Sequence, residues 1–264
     1  RRAVAVAAHH AASRQAFGAS LAKQPLMGNV LADLMLESEA ATHLVMRTAK
    51  SFDDVANQVY SADAAASSLD DPRGFSRLLT AVAKYFVCKQ FPLVAYEAME
   101  CLGGNGYVED FPAARIYRQA PLNAIWEGSG NVLALDVLRT LSRVPSAAHS
   151  LFQDIDRSRG LDAPLDAHIA ETRRVLRWAA EEATPSEQQG SARALVGHLA
   201  RAVQGAALVQ NASQAPERGA AKVAALFCAS RLGGNSPARC HFGTLPSQVG
   251  SQADFADILT RHSP

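Results

Sequence analysis

The chain has 264 residues, which is enough for one large domain or two of ordinary size. Hydrophobic residues make up 48% and charged residues 19%, a composition that favours a packed core and excludes a largely disordered chain. The formal net charge of +1 argues against a partner held mainly by electrostatics, such as nucleic acid or an anionic membrane. The four cysteines form no CxxC pair, which is typical of free thiols in a reducing cytosol, so we expect a cytoplasmic protein. Neither a signal peptide nor an uninterrupted apolar run of about 18 residues is present, and we expect no membrane span.

The first residues predict a helix over 1–16, rich in alanine, with neither an initiator Met nor an N-cap residue ahead of it. We therefore expect a fragment that begins inside a helix of a longer protein. Gly18 ends this helix, so residues 14–18 lie where a helix becomes a loop.

Helical periodicity continues along the rest of the chain. Pro25 and Pro72 suit the first position of a helix, and Asp71 suits the N-cap before Pro72. We expect Pro92 to kink or divide the helix that begins at Pro72, and the glycines of 103–106 to end it. Helices are predicted over residues 25–51, 72–102, 131–143, 147–157, 165–182, 185–210, 216–232 and 254–261, with a turn over 67–72, a loop over 109–114 and a break over 233–237.

No alternating strand pattern of useful length occurs, so the sequence predicts an all-α fold. Pro145 marks a boundary between two helical units. We expect one helical domain over residues 1–143 and an additional helical domain over residues 144–264.

The central segment, residues 125–131, reads Ile-Trp-Glu-Gly-Ser-Gly-Asn. We expect Ile125 and Trp126 to withdraw Glu127 partly from water, which favours the neutral form of a carboxylate. Gly128 and Gly130 allow the main chain to approach a flat or bulky ligand closely. This combination suits a general base whose substrate lies against the backbone, and the alternative is a solvated turn residue.

Several motifs occur in one order along the chain. They are Arg14-Gln15-Ala16-Phe17-Gly18, Pro25-Leu26, Leu31-Ala32-Asp33, Glu39-Ala40, Glu100-Cys101-Leu102-Gly103-Gly104-Asn105-Gly106-Tyr107, Arg115-Ile116-Tyr117-Arg118 and the central segment. Together they resemble the C-terminal helical domain of acyl-CoA dehydrogenases. The likeness is greatest to the alkylation-response (AidB-type) branch, because Trp126, residues 129–131 and the tail that ends in residues 227–232 match that branch.

The resemblance implies a homotetrameric flavoprotein that binds FAD and an acyl-CoA thioester, with two further domains ahead of this one. It implies that Glu127 removes the proton alpha to the thioester while a hydride leaves the beta carbon for the flavin. The backbone N–H of Glu127 would also hold the thioester carbonyl, and Gly128 would line the substrate site. A chain of this length alone should be inactive. The alternative is that Glu127 is a pocket residue in a protein with little turnover.

The resemblance also assigns cofactor contacts to the first half of the chain. Arg14 would reach the FAD pyrophosphate of a neighbouring subunit, or else be a solvated residue at a helix end. Phe17 would pack on the cofactor, or else in the core. Gly103 and Gly104 would allow the backbone to approach the adenosine half of FAD, and they would also stop a helix. Glu100 stands where many relatives have Gln, and a carboxylate cannot donate as an amide does.

Ser129 and Asn131 match positions that hydrogen-bond the flavin or its ribose. DNA is a further possible partner, because the alkylation-response branch is associated with DNA protection and the cluster Arg173, Arg174 and Arg177 lies on one predicted helix. A third interpretation is a helical oligomerisation module. We expect no metal, since the three residues nearest to a zinc motif lack its spacing; they are Cys228, Cys240 and His241.

Overall fold

The computed structural model describes residues 1–60, 69–214, 219–233, 242–245 and 250–262. Within them the predicted all-α fold is confirmed. The helices are α1 (Arg2–Ser13), α2 (Pro25–Tyr60), α3 (Pro72–Glu100), α4 (Gly104–Tyr107), α5 (Pro112–Gln119), α6 (Gly130–Arg143), α7 (Pro145–Ile155), α8 (Ala163–Glu181), α9 (Pro185–Gln214), α10 (Ala220–Phe227) and α11 (Gln252–His262). Two-residue strands β1 (Gln15–Ala16) and β2 (Ala19–Ser20) pair antiparallel. Four short segments complete the described secondary structure: 3₁₀ turns at Leu21–Lys23, Ala120–Ala124 and Asp156–Ser158, and a π turn at Cys228–Leu232.

Several predicted boundaries differ from the structure. The first helix ends at Ser13 rather than at residue 16, because strand β1 begins at Gln15. Helix α2 continues to Tyr60 rather than ending near residue 51, and Arg47 and Lys50 both pair with Asp54 along this extension. Helix α3 is one helix, because the chain remains helical on both sides of Pro92. The predicted loop over 109–114 is wrong in its second half, since helix α5 begins at Pro112, where proline costs no hydrogen bond. The predicted turn over 67–72 lies partly outside the described residues, as does the predicted break over 233–237.

The chain divides into two compact units. Unit 1 contains Arg1–Ala41, Cys88–Asn123 and Asn211–Pro264, and unit 2 contains Thr42–Val87 and Ala124–Gln210. Neither unit is one continuous stretch. Three borders fall within helices α2, α3 and α9, and the fourth falls within the 3₁₀ turn Ala120–Ala124. The domain division between residues 143 and 144 stays a prediction.

Unit 1 contains a buried ion cluster between α2 and the π turn. Arg231, which is 4% exposed, donates to Asp33 and, from Nε, to Glu37 Oε2 at 3.2 Å. The backbone N–H of Gly243 donates to the second oxygen of Asp33 at 2.9 Å. Buried charges are costly unless they are paired. The burial of Asp33 and Glu37 therefore requires Arg231 as their cation.

A second ionic contact in unit 1 attaches the last helix, α11, to α2. Glu39 accepts hydrogen bonds from Arg261 Nη2 at 2.6 Å and from His262 Nε2 at 2.9 Å. Burial alone would raise the pKa of Glu39, yet the hydrogen bonds from His262 and Arg261 lower it to about 2. The folded protein therefore holds Glu39 as a carboxylate.

In unit 2, the start of helix α3 is fixed by Asp71, as predicted. Its Oδ1 accepts from the backbone N–H of Gly74 at 2.8 Å, which is an N-cap contact. The other oxygen of Asp71 accepts from Ser146 Oγ at 2.6 Å, and its own N–H donates to Ser150 Oγ at 2.9 Å. One aspartate therefore caps α3 and joins it to α7.

Helix α3 is the one helix in the described part of the chain that is long and apolar enough to cross a membrane. Half of its most apolar stretch is buried within the protein, as in the core helix of a water-soluble fold.

Replacing Arg231 with methionine (R231M) should lower the free energy of unfolding by about 3–5 kcal/mol, because Asp33 and Glu37 are left buried without their cation. The matched control is Arg174→Met, which removes an exposed pair with Glu171 and should change stability little. Urea denaturation of both variants measures the difference, and equal midpoints would contradict a stabilising role for the cluster.

Glu39 should make stability depend on acid pH. A carboxylate whose pKa is lowered on folding stabilises fully above its unfolded pKa, and this contribution is lost as pH falls toward the folded value. We expect the Glu39 contribution, about 2 kcal/mol, to be lost between pH 4.5 and about pH 2. Urea denaturation across this range should show a weaker pH dependence for Glu39→Gln and a wild-type dependence for the exposed control Glu181→Gln. A wild-type slope in Glu39→Gln would contradict this assignment.

Candidate functional site

In unit 2, the predicted base lies in a turn of unusual backbone conformation between the segment Ala120–Ala124 and helix α6. Glu127 has φ +53° and Gly128 has φ +109°. A residue with a side chain rarely adopts a positive φ, and such positions are held by their surroundings. A Cβ added to Gly128 would lie 3.3 Å from Leu133 Cδ2, so this turn requires glycine next to the glutamate.

The turn is held by Lys84 of helix α3, also in unit 2. Lys84 Nζ donates to the carbonyl oxygen of Trp126 at 2.8 Å and to that of Gly128 at 2.8 Å. The two carbonyls lie on either side of Glu127 in the chain. Lys84 was not predicted from the sequence. The feature that could have indicated it is a lysine between two apolar residues, Ala83 and Tyr85, which the structure shows to be buried.

The expected desolvation of Glu127 is wrong for this chain. Glu127 is exposed, and the residues meant to cover it are exposed too: Ile125 by 65% and Trp126 by 54%. Side chains that face water themselves cannot exclude it from a neighbouring carboxylate. Within the described residues the Glu127 carboxylate forms no hydrogen bond or ion pair, so it is available to a ligand.

The two predicted flavin contacts that follow Glu127 have different surroundings. Ser129 precedes helix α6, its carbonyl accepts from the N–H of Leu133 at 3.0 Å, and its side chain is exposed. Asn131 Oδ1 accepts from Arg193 Nε of helix α9 at 2.9 Å. Arg193 was missed from the sequence, because it lies 62 residues away. Its bond orients the carboxamide and leaves the amide N–H groups of Asn131 as donors.

In unit 1, Arg14 and Phe17 lie at a hairpin. Arg14 ends helix α1 with an exposed side chain, and its carbonyl accepts from the N–H of Leu21 at 2.8 Å. Phe17 (φ +53°) and Gly18 (φ +82°) form the two-residue loop between β1 and β2, in the manner of a type I′ turn. Phe17 is 95% exposed, which excludes its alternative assignment to the core of this chain.

The remaining predicted residues of unit 1 lie at the end of helix α3 and in the segment just after it. Gly103 has φ +58°, and a Cβ added to Gly103 or Gly104 would meet no atom within 4 Å among the described residues. Both glycines are exposed, so a ligand can approach the main chain there. Gly106 is different, because its Cβ would lie 2.0 Å from the carbonyl oxygen of Met99; this packing requirement was not predicted. Glu100 hydrogen-bonds the hydroxyl of Tyr96 and, with its charge, raises the pKa of Tyr96.

The predicted residues therefore divide between the two compact units. Unit 2 contains the predicted base and its neighbours: Glu127, Gly128, Ser129 and Asn131. Unit 1 contains the others: Arg14, Phe17, Glu100, Gly103 and Gly104. Unit 1 also has an open cleft of about 540 Å³ lined by residues of α3, α4 and α5, including Met99, Tyr107 and Tyr117.

The described residues contain no group of three or more His, Cys, Asp or Glu side chains placed to hold a metal ion. Cys240 and His241 lie outside the described residues. Two of the arginines considered for DNA are already engaged in unit 2: Arg173 pairs with Asp156 and covers the ring of Phe152 at 4.0 Å, and Arg174 pairs with Glu171.

Residues 1–142 match the family model of the acyl-CoA dehydrogenase C-terminal domain. The chain belongs to the acyl-CoA dehydrogenase family and contains this domain. The matched region includes the Glu127 turn, the hairpin and the glycines after α3, while helices α7–α11 follow it.

Among its relatives is the candidate acyl-CoA dehydrogenase AidB of Escherichia coli K12, which is 40% identical over 183 residues, 69% of this chain and 31% of AidB. Among solved structures, Caenorhabditis elegans ACDH-11 in complex with C11-CoA has a TM-score of 0.73 at 26% identity, covering 92% of this chain and 42% of that one. The Bacillus anthracis acyl-CoA dehydrogenase complexed with FAD has a TM-score of 0.67 at 18% identity, and the match covers 98% of this chain and 45% of that one. At this identity the likeness supports the fold and nothing further. The chain spans about a third of the length of the AidB relative.

Replacing Gly128 with alanine (G128A) should destabilise unit 2 by about 1–2 kcal/mol, because a side chain is strained at this φ and crowds Leu133. Gly190→Ala is the matched control: that glycine lies in helix α9 with open space around it, and alanine there should stabilise slightly. Thermal unfolding compares the two variants. A G128A variant as stable as wild type would show that the turn tolerates another conformation.

Proposed function

We propose that the protein is an FAD-dependent acyl-CoA dehydrogenase in which Glu127 is the catalytic base. The observation that carries this proposal is the Glu127 carboxylate, which has no partner within the described residues and lies on a turn held from both sides by Lys84. A base must be free to accept a proton and fixed in position, and this turn provides both.

In the proposed reaction each residue of the turn has a separate role. The Glu127 carboxylate takes the proton from the carbon alpha to the thioester as that C–H bond breaks and a C=C bond forms. The backbone N–H of Glu127 donates to the thioester carbonyl oxygen, where negative charge develops. Bound FAD would supply the acceptor for the hydride that leaves the beta carbon. Gly128, without a side chain, leaves room for the acyl chain beside the base.

The family is one of FAD flavoproteins, and the surfaces described above suit the cofactor. Gly103 and Gly104 offer bare main chain to the adenosine half, and the exposed ring of Phe17 offers a packing surface. The exposed Arg14 side chain forms no hydrogen bond or ion pair within the described residues, so its guanidinium is available to a phosphate. We assign Glu100, Ser129 and Asn131 to the polar contacts of the flavin nucleotide.

We propose an acyl-CoA thioester as the substrate, supported by the C11-CoA bound to the related ACDH-11. We also propose a cytoplasmic homotetramer. Its support is the exposed apolar surface near the base, since Ile125, Trp126 and Val132 are each more than half exposed in the single chain. Protection of DNA and a purely oligomeric role are the alternatives, and no contact of the described arginines favours the first.

The test is an absorbance titration of the protein expressed from its complete reading frame, with a panel of acyl-CoA thioesters. Wild-type protein should be yellow and bleach with its substrate. Glu127→Gln should keep FAD and lose about 10²–10⁴-fold in turnover, the usual contribution of a general base. Glu181→Gln, which removes an exposed carboxylate from helix α8, should behave as wild type.

Unchanged turnover in Glu127→Gln would remove this residue from the mechanism. A colourless wild-type protein would contradict FAD binding. Yellow protein that no thioester bleaches, and that retains DNA in a salt-sensitive manner, would favour the DNA-protecting alternative.

A further inference from the structure

We propose that Lys84 is a positioning residue for the reaction, holding both the carboxylate and the backbone N–H of Glu127 in working orientation. This inference rests on the proposed function of Glu127. Its physical basis is one ammonium group that donates to two backbone carbonyls, those of Trp126 and Gly128, each at 2.8 Å.

The two contacts determine where Glu127 points. The Trp126 carbonyl belongs to the peptide plane just before Glu127, and the Gly128 carbonyl belongs to the plane just after Gly128. Fixing both planes restricts the backbone rotations between them, which include φ +53° of Glu127 and φ +109° of Gly128. Without this restraint the turn would relax toward negative φ at Glu127, and the carboxylate would move with the backbone.

The same contact acts on the proposed donor to the thioester. In a trans peptide the C=O and N–H bonds point in opposite directions, so the bond from Lys84 to the Trp126 carbonyl directs the Glu127 N–H away from Lys84. A carbonyl that accepts from a cation is polarised, and its own N–H becomes a stronger donor. Lys84 thus supports the carbonyl-binding group without touching the substrate.

Lys84 is well placed to act as a rigid support. It lies in the 29-residue helix α3, and its neighbours Ala83 and Tyr85 are 6% and 9% exposed. Its side chain is half-buried, while Lys89 of the same helix is exposed. Lys89 is therefore a control with the same charge on the same helix.

The experiment compares Lys84→Met, Lys84→Arg and Lys89→Met in the protein from the complete reading frame, with undecanoyl-CoA as the probe. In Lys84→Met, kcat should fall by about 10–100-fold, because small displacements of a base cost rate steeply. KM, FAD content and Tm should stay close to wild type. The alpha-deuterium isotope effect on kcat should rise, because proton removal becomes slower relative to other steps. Lys84→Arg should recover most of the rate, and Lys89→Met should equal wild type.

A second readout needs no turnover. A protease that cuts after glutamate should cleave the Glu127–Gly128 bond of the FAD-free protein faster in Lys84→Met than in wild type or Lys89→Met. Cleavage after the exposed Glu109 should be the same in all of them.

The outcomes separate the two proposals. Wild-type kcat in Lys84→Met, or loss of rate matched by loss of FAD and Tm, would overturn the positioning role. If wild-type protein shows no turnover with any thioester, the proposed function fails, and protease cleavage decides on the restraint itself. Faster cleavage in Lys84→Met then supports the restraint, and equal cleavage overturns it.

Discussion

Unit 1 depends on the pairing of three charges that water does not reach. Arg231 contacts Asp33 and Glu37 across 198 and 194 residues of sequence. Moving one member into water would leave its partners buried and unpaired, so the pairing favours the observed packing of the π turn against helix α2. Arg231 lies beyond the 142 residues that match the family model. The end of the chain, from Asn211 onward, is therefore part of the same compact unit as the beginning of the family domain, and Glu39 reinforces this arrangement through α11.

In unit 2 a charged side chain restrains the backbone of a turn, whereas in unit 1 it pairs with buried charges. The Glu127 turn has a conformation that a glutamate would not adopt alone, and the Lys84 ammonium satisfies two carbonyls on either side of it. Gly128 avoids the strain of a side chain at φ +109° and the crowding of a Cβ against Leu133. The carboxylate itself is left unpaired within the described residues. In the proposed function, the restrained backbone positions Glu127 and its unpaired carboxylate can accept a proton.

Sequence reasoning succeeded where the cause is local. Prolines at the first position and an aspartate cap predicted the starts of α2 and α3, because these contacts involve residues a few positions apart. The same reasoning placed a loop over the beginning of α5 and expected water to be excluded from Glu127 by Ile125 and Trp126. Neighbours in sequence show composition, but exposure depends on what packs over them, and no segment that the structure describes covers Ile125, Trp126 or Glu127. Lys84 and Arg193 were missed because their partners lie 42, 44 and 62 residues away.

The sequence by itself determined the all-α class, the resemblance to acyl-CoA dehydrogenases and the identity of the glutamate beside glycines. Periodicity and motif order are properties of residue types along the chain, so they can be read without coordinates. The tertiary structure decided which charges are buried together, which lysine donates hydrogen bonds to the turn, and which glycines are needed for packing. Those outcomes depend on distances between segments far apart in sequence, and composition and spacing do not determine such distances.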